Sequence, residues 1–153
     1  MIERARRSVA PRLALSLQGH TELAGLPARS TLVRWIGAAL PRDAQLTLRF
    51  VGLRESRRLN REYRGKGKDC ATDVLTFGYA TEPIVRADIV ICVPVVRREA
   101  RAHGKPLYDH LAHLVVHATL HAHGLHHDSA AAARTLEKRE RIILKSLGKR
   151  APY

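Results

Sequence analysis

Seven of the chain's nine histidines lie between His110 and Asp128, in the stretch HLAHLVVHATLHAHGLHHD. Three of them, His117, His121 and His127, have the spacing of a metal site. Residues four apart share one face of a helix, so His117 and His121 can aim their imidazoles at one ion. Gly124 stands where such a helix should stop, because glycine takes the left-handed conformation at little cost. A turn there brings His127 back as a third ligand. Three neutral imidazoles with an open fourth position are the arrangement of catalytic zinc, whereas structural zinc is usually closed by four protein ligands. One zinc ion is therefore the expected cofactor, although nickel or copper would bind the same donors at least as tightly.

The remaining histidines of the stretch divide by position. His113 lies one turn before His117 on the same face. It either orients a ligand or substrate or is a partly buried histidine with a backbone partner. His123 points away from the ligand face and is expected in solvent. His110, His103 and His20 read as surface residues.

The elements that must carry these side chains follow from periodicity. Pro106 starts the histidine helix where a missing N–H is harmless, and Leu107, Leu111, Leu114, Val115 and Ala118 form its core face. Ser129 can cap a last helix with Leu136, Ile143, Leu144 and Leu147 facing inward and Gly148 ending it. Upstream, alternation predicts strands over 12–17 and 45–51 and a third over 72–79. The run Asp88 to Val93 (DIVICV) predicts a strand buried on both faces. Helical spacing over Leu32, Val33, Trp35, Ile36, Ala39 and Leu40 ends at Pro41. A strongly charged helix spans 53–63, and another runs from Pro94 to about Ala102. The stretch Arg64 to Ala71 is a loop rich in Gly and Lys. No repeat or linker divides the chain. This order predicts an α+β fold: a single domain over 11–153, with a small mixed β-sheet packed by helices and the metal site on a central, metalloprotease-like helix. Residues 1–10 form a poorly ordered basic lead.

Composition narrows the partner. The 153 residues carry a net charge of +13, which points to a polyanion and first to nucleic acid. Aromatic residues are only 5% of the chain. Their scarcity argues against a base-stacking platform and for backbone contacts with strong salt dependence. Cys70 and Cys92 make no disulfide framework, no stretch approaches the roughly 18 apolar residues of a membrane span, and no signal-peptide core is present. A cytoplasmic setting with no membrane partner is expected.

Two resemblances follow from the histidine motif. The spacing H-x-x-x-H-x-x-G-x-x-H is that of the metzincin proteases, but their general base directly after the first histidine is replaced here by Ala118. The stretch from His117 to His127 also resembles the YbeY family of bacterial endoribonucleases, whose signature is similar to H-G-x-L-H-L-x-G-Y-D-H. The metal positions are kept, while Ala118, Leu125 and His126 depart from it. Upstream, Leu59-Asn60-Arg61-Glu62-Tyr63-Arg64-Gly65-Lys66 with Ala71-Thr72-Asp73-Val74-Leu75-Thr76-Phe77 resembles the family's L-N-x-x-Y-R-G-K-D-x-x-T-D-V-L-S-F, with two extra residues around Gly67 and Lys68. Ala87-Asp88-Ile89-Val90-Ile91-Cys92 resembles its G-D-I-V-I-C.

The resemblance implies a single-strand-specific, metal-dependent endoribonuclease acting in ribosomal RNA maturation, at the 16S ribosomal RNA 3′ end, and in ribosome quality control. Its partners are then single-stranded RNA and the ribosome. It implies that Arg64 serves the active site, and a guanidinium suits a phosphate through two parallel hydrogen bonds. Lys66 and Lys68 either line the RNA path or lie in a solvated loop. His126 stands at the family's aspartate; Asp128 takes over that role, or His126 itself acts as acid or base or competes for the metal. Asp88 either steadies the cleft or an imidazole, or caps a turn. The rival functions are a zinc-containing ribosome assembly factor without catalysis and a metal hydrolase of another substrate, with Ala118 against a peptidase.

Overall fold

Leu46, Leu48 and Phe50 alternate with Gln45, Thr47 and Arg49, so one side of this strand is apolar and the other polar. That alternation fixes which way the sheet faces and where every other element packs. The structure, a computed structural model, describes residues 10–21, 23–64, 71–125 and 128–149, with Arg64 described in its backbone alone. Along the chain run β1 (Leu13–Gln18), α1 (Arg29–Ala39), β2 (Ala44–Val51), α2 (Leu53–Arg64), β3 (Val74–Ala80), β4 (Val85–Cys92), α3 (Val93–Ala102), α4 (Leu107–Ala122) and α5 (Ala130–Ser146). The expected basic lead falls almost wholly outside the described residues.

The strands form one mixed sheet in the order β1-β2-β4-β3. β1, β2 and β4 are parallel, and β3 returns antiparallel to β4, which leaves β3 at an edge beside the histidine helix. The small mixed sheet with helices expected from the sequence is thus the observed architecture.

α1 and α4 cover one face of the sheet, and α5 packs behind α4. The main core lies there: Leu32, Trp35 and Ile36 of α1 meet Leu46, Leu48, Ile89 and Ile91 of the sheet and Leu111, Val115 and Leu120 of α4. Burial of each large apolar side chain of this kind contributes about 1.5–3 kcal/mol. On the opposite face α2 covers one end only, where Val51, Leu75, Val90 and Cys92 pack with Leu59.

β4 records this difference residue by residue. It starts at Val85, earlier than the apolar run suggested, because Val85, Arg86, Ala87 and Asp88 alternate between the core and the open face. From Ile89 to Cys92 every residue is buried, since α2 closes the second face there. The run DIVICV therefore marks only the doubly covered half of the strand.

α4 begins after Pro106, which is its N-cap. At its other end Gly124 has φ +92°. Its N–H bonds to the His121 carbonyl and that of Leu125 to the Leu120 carbonyl, the paired bonds of a glycine-terminated helix. The expected stop at Gly124 is observed. Among the described residues no helix is long and apolar enough to cross a membrane.

Candidate active site

Between His110 and His123, α4 and its cap are buried at every position except His113, His117 and His121. The spacing of four keeps these residues on one side of the helix, so the one opening in its packing is a stripe of imidazoles. The His117 and His121 rings lie 6.4 Å apart between centroids with their planes only 10° from parallel. His113 stands edge-on to His117 at 6.2 Å.

Behind the stripe sits Glu140 of α5, with no exposed surface. One carboxylate oxygen accepts a short hydrogen bond from His117 Nδ1, and the other accepts from His113 Nε2 at 3.3 Å. An ionised carboxylate only accepts, so facing it His117 donates from Nδ1, which in the neutral ring makes Nε2 the acceptor nitrogen. A histidine with the opposite nitrogen held by a carboxylate is the usual arrangement of a metal-bound imidazole, because the partner fixes the tautomer and raises ligand basicity. The donors of His117 and His121 thus fit a divalent ion.

The His121 end of the stripe borders a cleft of about 480 Å³, lined by Thr76, Gly78, Tyr79 and Thr81 of the β3 region and by His121 and Gly124. His127, the third expected ligand, lies outside the described residues. Among those residues no group of three or more His, Cys, Asp or Glu side chains is gathered as a metal site.

A family model for endoribonuclease YbeY matches residues 29–148. The chain belongs to this family. YbeY relatives match it nearly end to end. An endoribonuclease YbeY of Methylibium petroleiphilum is 50% identical over 150 residues, covering 97% of this chain and 99% of the relative. One of Paracidovorax citrulli is 50% identical over 148 residues, covering 92% and 95%. The solution structure of TM1509 from Thermotoga maritima superposes with a TM-score of 0.56 at 23% identity, over 88% of this chain and 91% of that one, and supports the fold.

Measured against the YbeY signature, Ala118 departs from the pattern at a fully buried position. It belongs to the packing beneath α4. Arg64 closes α2 in the described backbone. Lys66, Lys68, Cys70 and His126 lie outside the described residues. Asp128 is exposed ahead of α5. Asp88 does not approach the imidazoles. It lies on the opposite face of the sheet, where it accepts a hydrogen bond of 2.6 Å from the Tyr79 hydroxyl; the pleat of β4 puts it there with Arg86. That bond holds the Tyr79 phenol up at about 12.

Two histidines differ from their expected places. His123 is 9% exposed, and its Nδ1 donates to the Thr119 carbonyl at 2.7 Å. His110 is 7% exposed and meets Glu99 through Nε2 at 3.1 Å. Both misplacements have one cause: α4 is enclosed on more sides than an amphipathic helix would be. Burial pushes the Glu99 carboxyl up, against the hydrogen bond from His110. His113 has a side-chain carboxylate as its partner and serves the same glutamate as His117.

Glu140 was not among the candidates, yet its position carried a signal. It falls four residues after Leu136 and four before Leu144, inside the buried stripe of α5. A charged residue in an apolar stripe requires a partner, and the nearest residues able to supply one are the histidines of α4.

Proposed function

We propose that the chain is a metal-dependent endoribonuclease that cleaves single-stranded RNA, with ribosomal RNA as its substrate. The observation that carries this reading is the imidazole stripe of α4, in which buried Glu140 holds His113 and His117 from behind and His121 lines the cleft along β3. Membership of a family whose relatives are named endoribonucleases gives the cleft its substrate class.

His117 and His121, with His127, would hold the ion, and zinc suits three imidazoles. A divalent ion bound there supplies Lewis acidity toward a phosphodiester oxygen. Glu140 keeps the His117 proton on Nδ1 and so keeps Nε2 a donor of electrons. α4, packed on nearly every side, holds the rings at fixed spacing. Arg64, at the end of α2, supplies a guanidinium whose parallel donors match a phosphate and offset the charge that builds on it. The excess positive charge of the chain draws the RNA in and makes its affinity fall with salt.

The test uses the purified protein, single-stranded and double-stranded RNA of one sequence, and a peptide mixture. Chelation should abolish cleavage of the single strand, and zinc should restore it. Cleavage that survives chelation, or activity confined to peptides, overturns the reading.

A further inference from the structure

Three of the chain's few aromatic residues (one Trp, four Tyr, two Phe) stand together on the open face of the sheet. Tyr63 of α2 packs against Phe77 of β3 with ring centroids 3.9 Å apart. With Tyr79 they line a hollow of about 210 Å³, whose polar groups include Thr47, Arg49 and Asp88. Scarce aromatics argue against a base-stacking platform when only their number is known. Their placement reverses it: the supply is small but gathered.

The hollow has the parts that recognise a nucleobase. Tyr63 and Tyr79 are 60% and 63% exposed, so large aromatic surface faces solvent where a base could stack. The groups around them offer edge contacts. Thr47 brings a hydroxyl, Arg49 a guanidinium fixed by its ion pair with Glu55, and Asp88 a carboxylate fixed by the Tyr79 hydroxyl. Arg86 lies exposed on the same face as Asp88, a cation suited to a neighbouring phosphate. The volume is below the roughly 300–1,000 Å³ that drug-sized ligands fill and suits one ring system.

Position connects the hollow to the catalytic cleft. β3 is the edge strand between them, and Tyr79 belongs to the lining of both cavities. Tyr63 immediately precedes Arg64. We infer that this hollow receives one nucleobase of a single-stranded RNA whose backbone crosses the edge of β3 into the histidine cleft. The inference rests on RNA being the substrate. It makes cleavage sensitive to the presence of a base at one fixed distance from the cut.

The test uses a labelled single-stranded RNA in which each nucleotide near the cut is replaced in turn by an abasic one. Binding is followed by fluorescence anisotropy at low temperature and cleavage on gels, with the same protein. One abasic position should weaken binding by about tenfold, the loss expected for one base–aromatic stack. Tyr63→Ala should weaken binding of the intact RNA by a similar factor and erase the effect of that position, and Tyr63→Phe should restore both. Tyr79→Ala serves as a second variant should Tyr63→Ala unfold. Binding that shows no such position, or the same position in Tyr63→Ala as in the parent, overturns the pocket; a protein segment as the occupant would give this result. Positional binding without any cleavage would support the pocket and reject the nuclease reading. Cleavage at equal rates by both proteins, with no positional effect, would do the reverse.

Discussion

The two faces of the sheet are built to opposite rules. Under α1 and α4, Leu46, Leu48, Ile89 and Ile91 are sealed from solvent. On the other face Gln45 and Arg86 are exposed, and Thr47 and Arg49 are half-buried. The helices differ likewise. From His110 onward α4 is packed on nearly every side and interrupted only by His113, His117 and His121. α2 turns polar Ser56 and Asn60 inward and exposes Arg54, Arg57, Arg58 and Arg61. Ser56 Oγ bonds to both the N–H and the carbonyl of Thr72, so α2 is fastened to the start of β3 by hydrogen bonds as well as by Leu59. Rings that must keep their spacing need a dense, dry support. Contacts to a charged, flexible polymer need surface cations and little enclosure. The molecule separates the two demands by face.

The contrast breaks most completely at the stripe. His117→Ala with His121→Ala should abolish RNA cleavage and bound zinc, read by activity and elemental analysis, while circular dichroism stays that of the parent. Zinc retained at full stoichiometry would place the ion elsewhere. Glu140→Ala should destabilise the fold by about 1–3 kcal/mol, because the half-buried imidazoles of His113 and His117 lose their acceptor; calorimetry would read this as a lower Tm. Glu140→Gln should fold more stably than Glu140→Ala and bind zinc about 10–100-fold more weakly than the parent in chelator competition. Equal zinc affinity would detach the carboxylate from the site.

The open face should respond differently. Replacing Arg54, Arg57 and Arg61 by Gln should leave stability within about 0.5 kcal/mol and weaken RNA binding. The slope of log affinity against log salt should fall by about 0.7 for each phosphate contact removed. An unchanged slope would exclude α2 from the RNA path. The smallest effect is spectroscopic. The Tyr79 phenol is raised from 10.0 to about 12 chiefly by its hydrogen bond to Asp88. The folded state therefore favours the protonated phenol. This contribution is present below the unfolded value and is lost as pH rises through about 12. An ultraviolet titration should show a late phenolate from Tyr79, and Asp88→Asn should move it back toward 10.0.

What could be read from the sequence was what depends on neighbours along the chain. The His117–His121 spacing, the glycine stop at Gly124 and the Ser129 cap, which accepts from the Ala132 N–H at 3.1 Å, are local features, and each stands where its residues put it. What escaped depended on which surfaces meet. Asp88 and the imidazoles belong to one polar inventory in the sequence, but the sheet lies between them. His110 and His123 read as surface residues because periodicity cannot tell how many sides of a helix are covered. Glu140 looked like one more charge among Glu137, Lys138, Arg139 and Arg141 until its register with Leu136 and Leu144 was matched to the back of α4. The third ligand position, His127, remains an expectation from spacing.

Glu140 also sets an order of events. It is carried by α5, which leaves the ribosome after α4, so a nascent chain holds His117 and His121 before it holds the carboxylate that orients them. The imidazole stripe then reaches its final arrangement only once α5 has docked against α4.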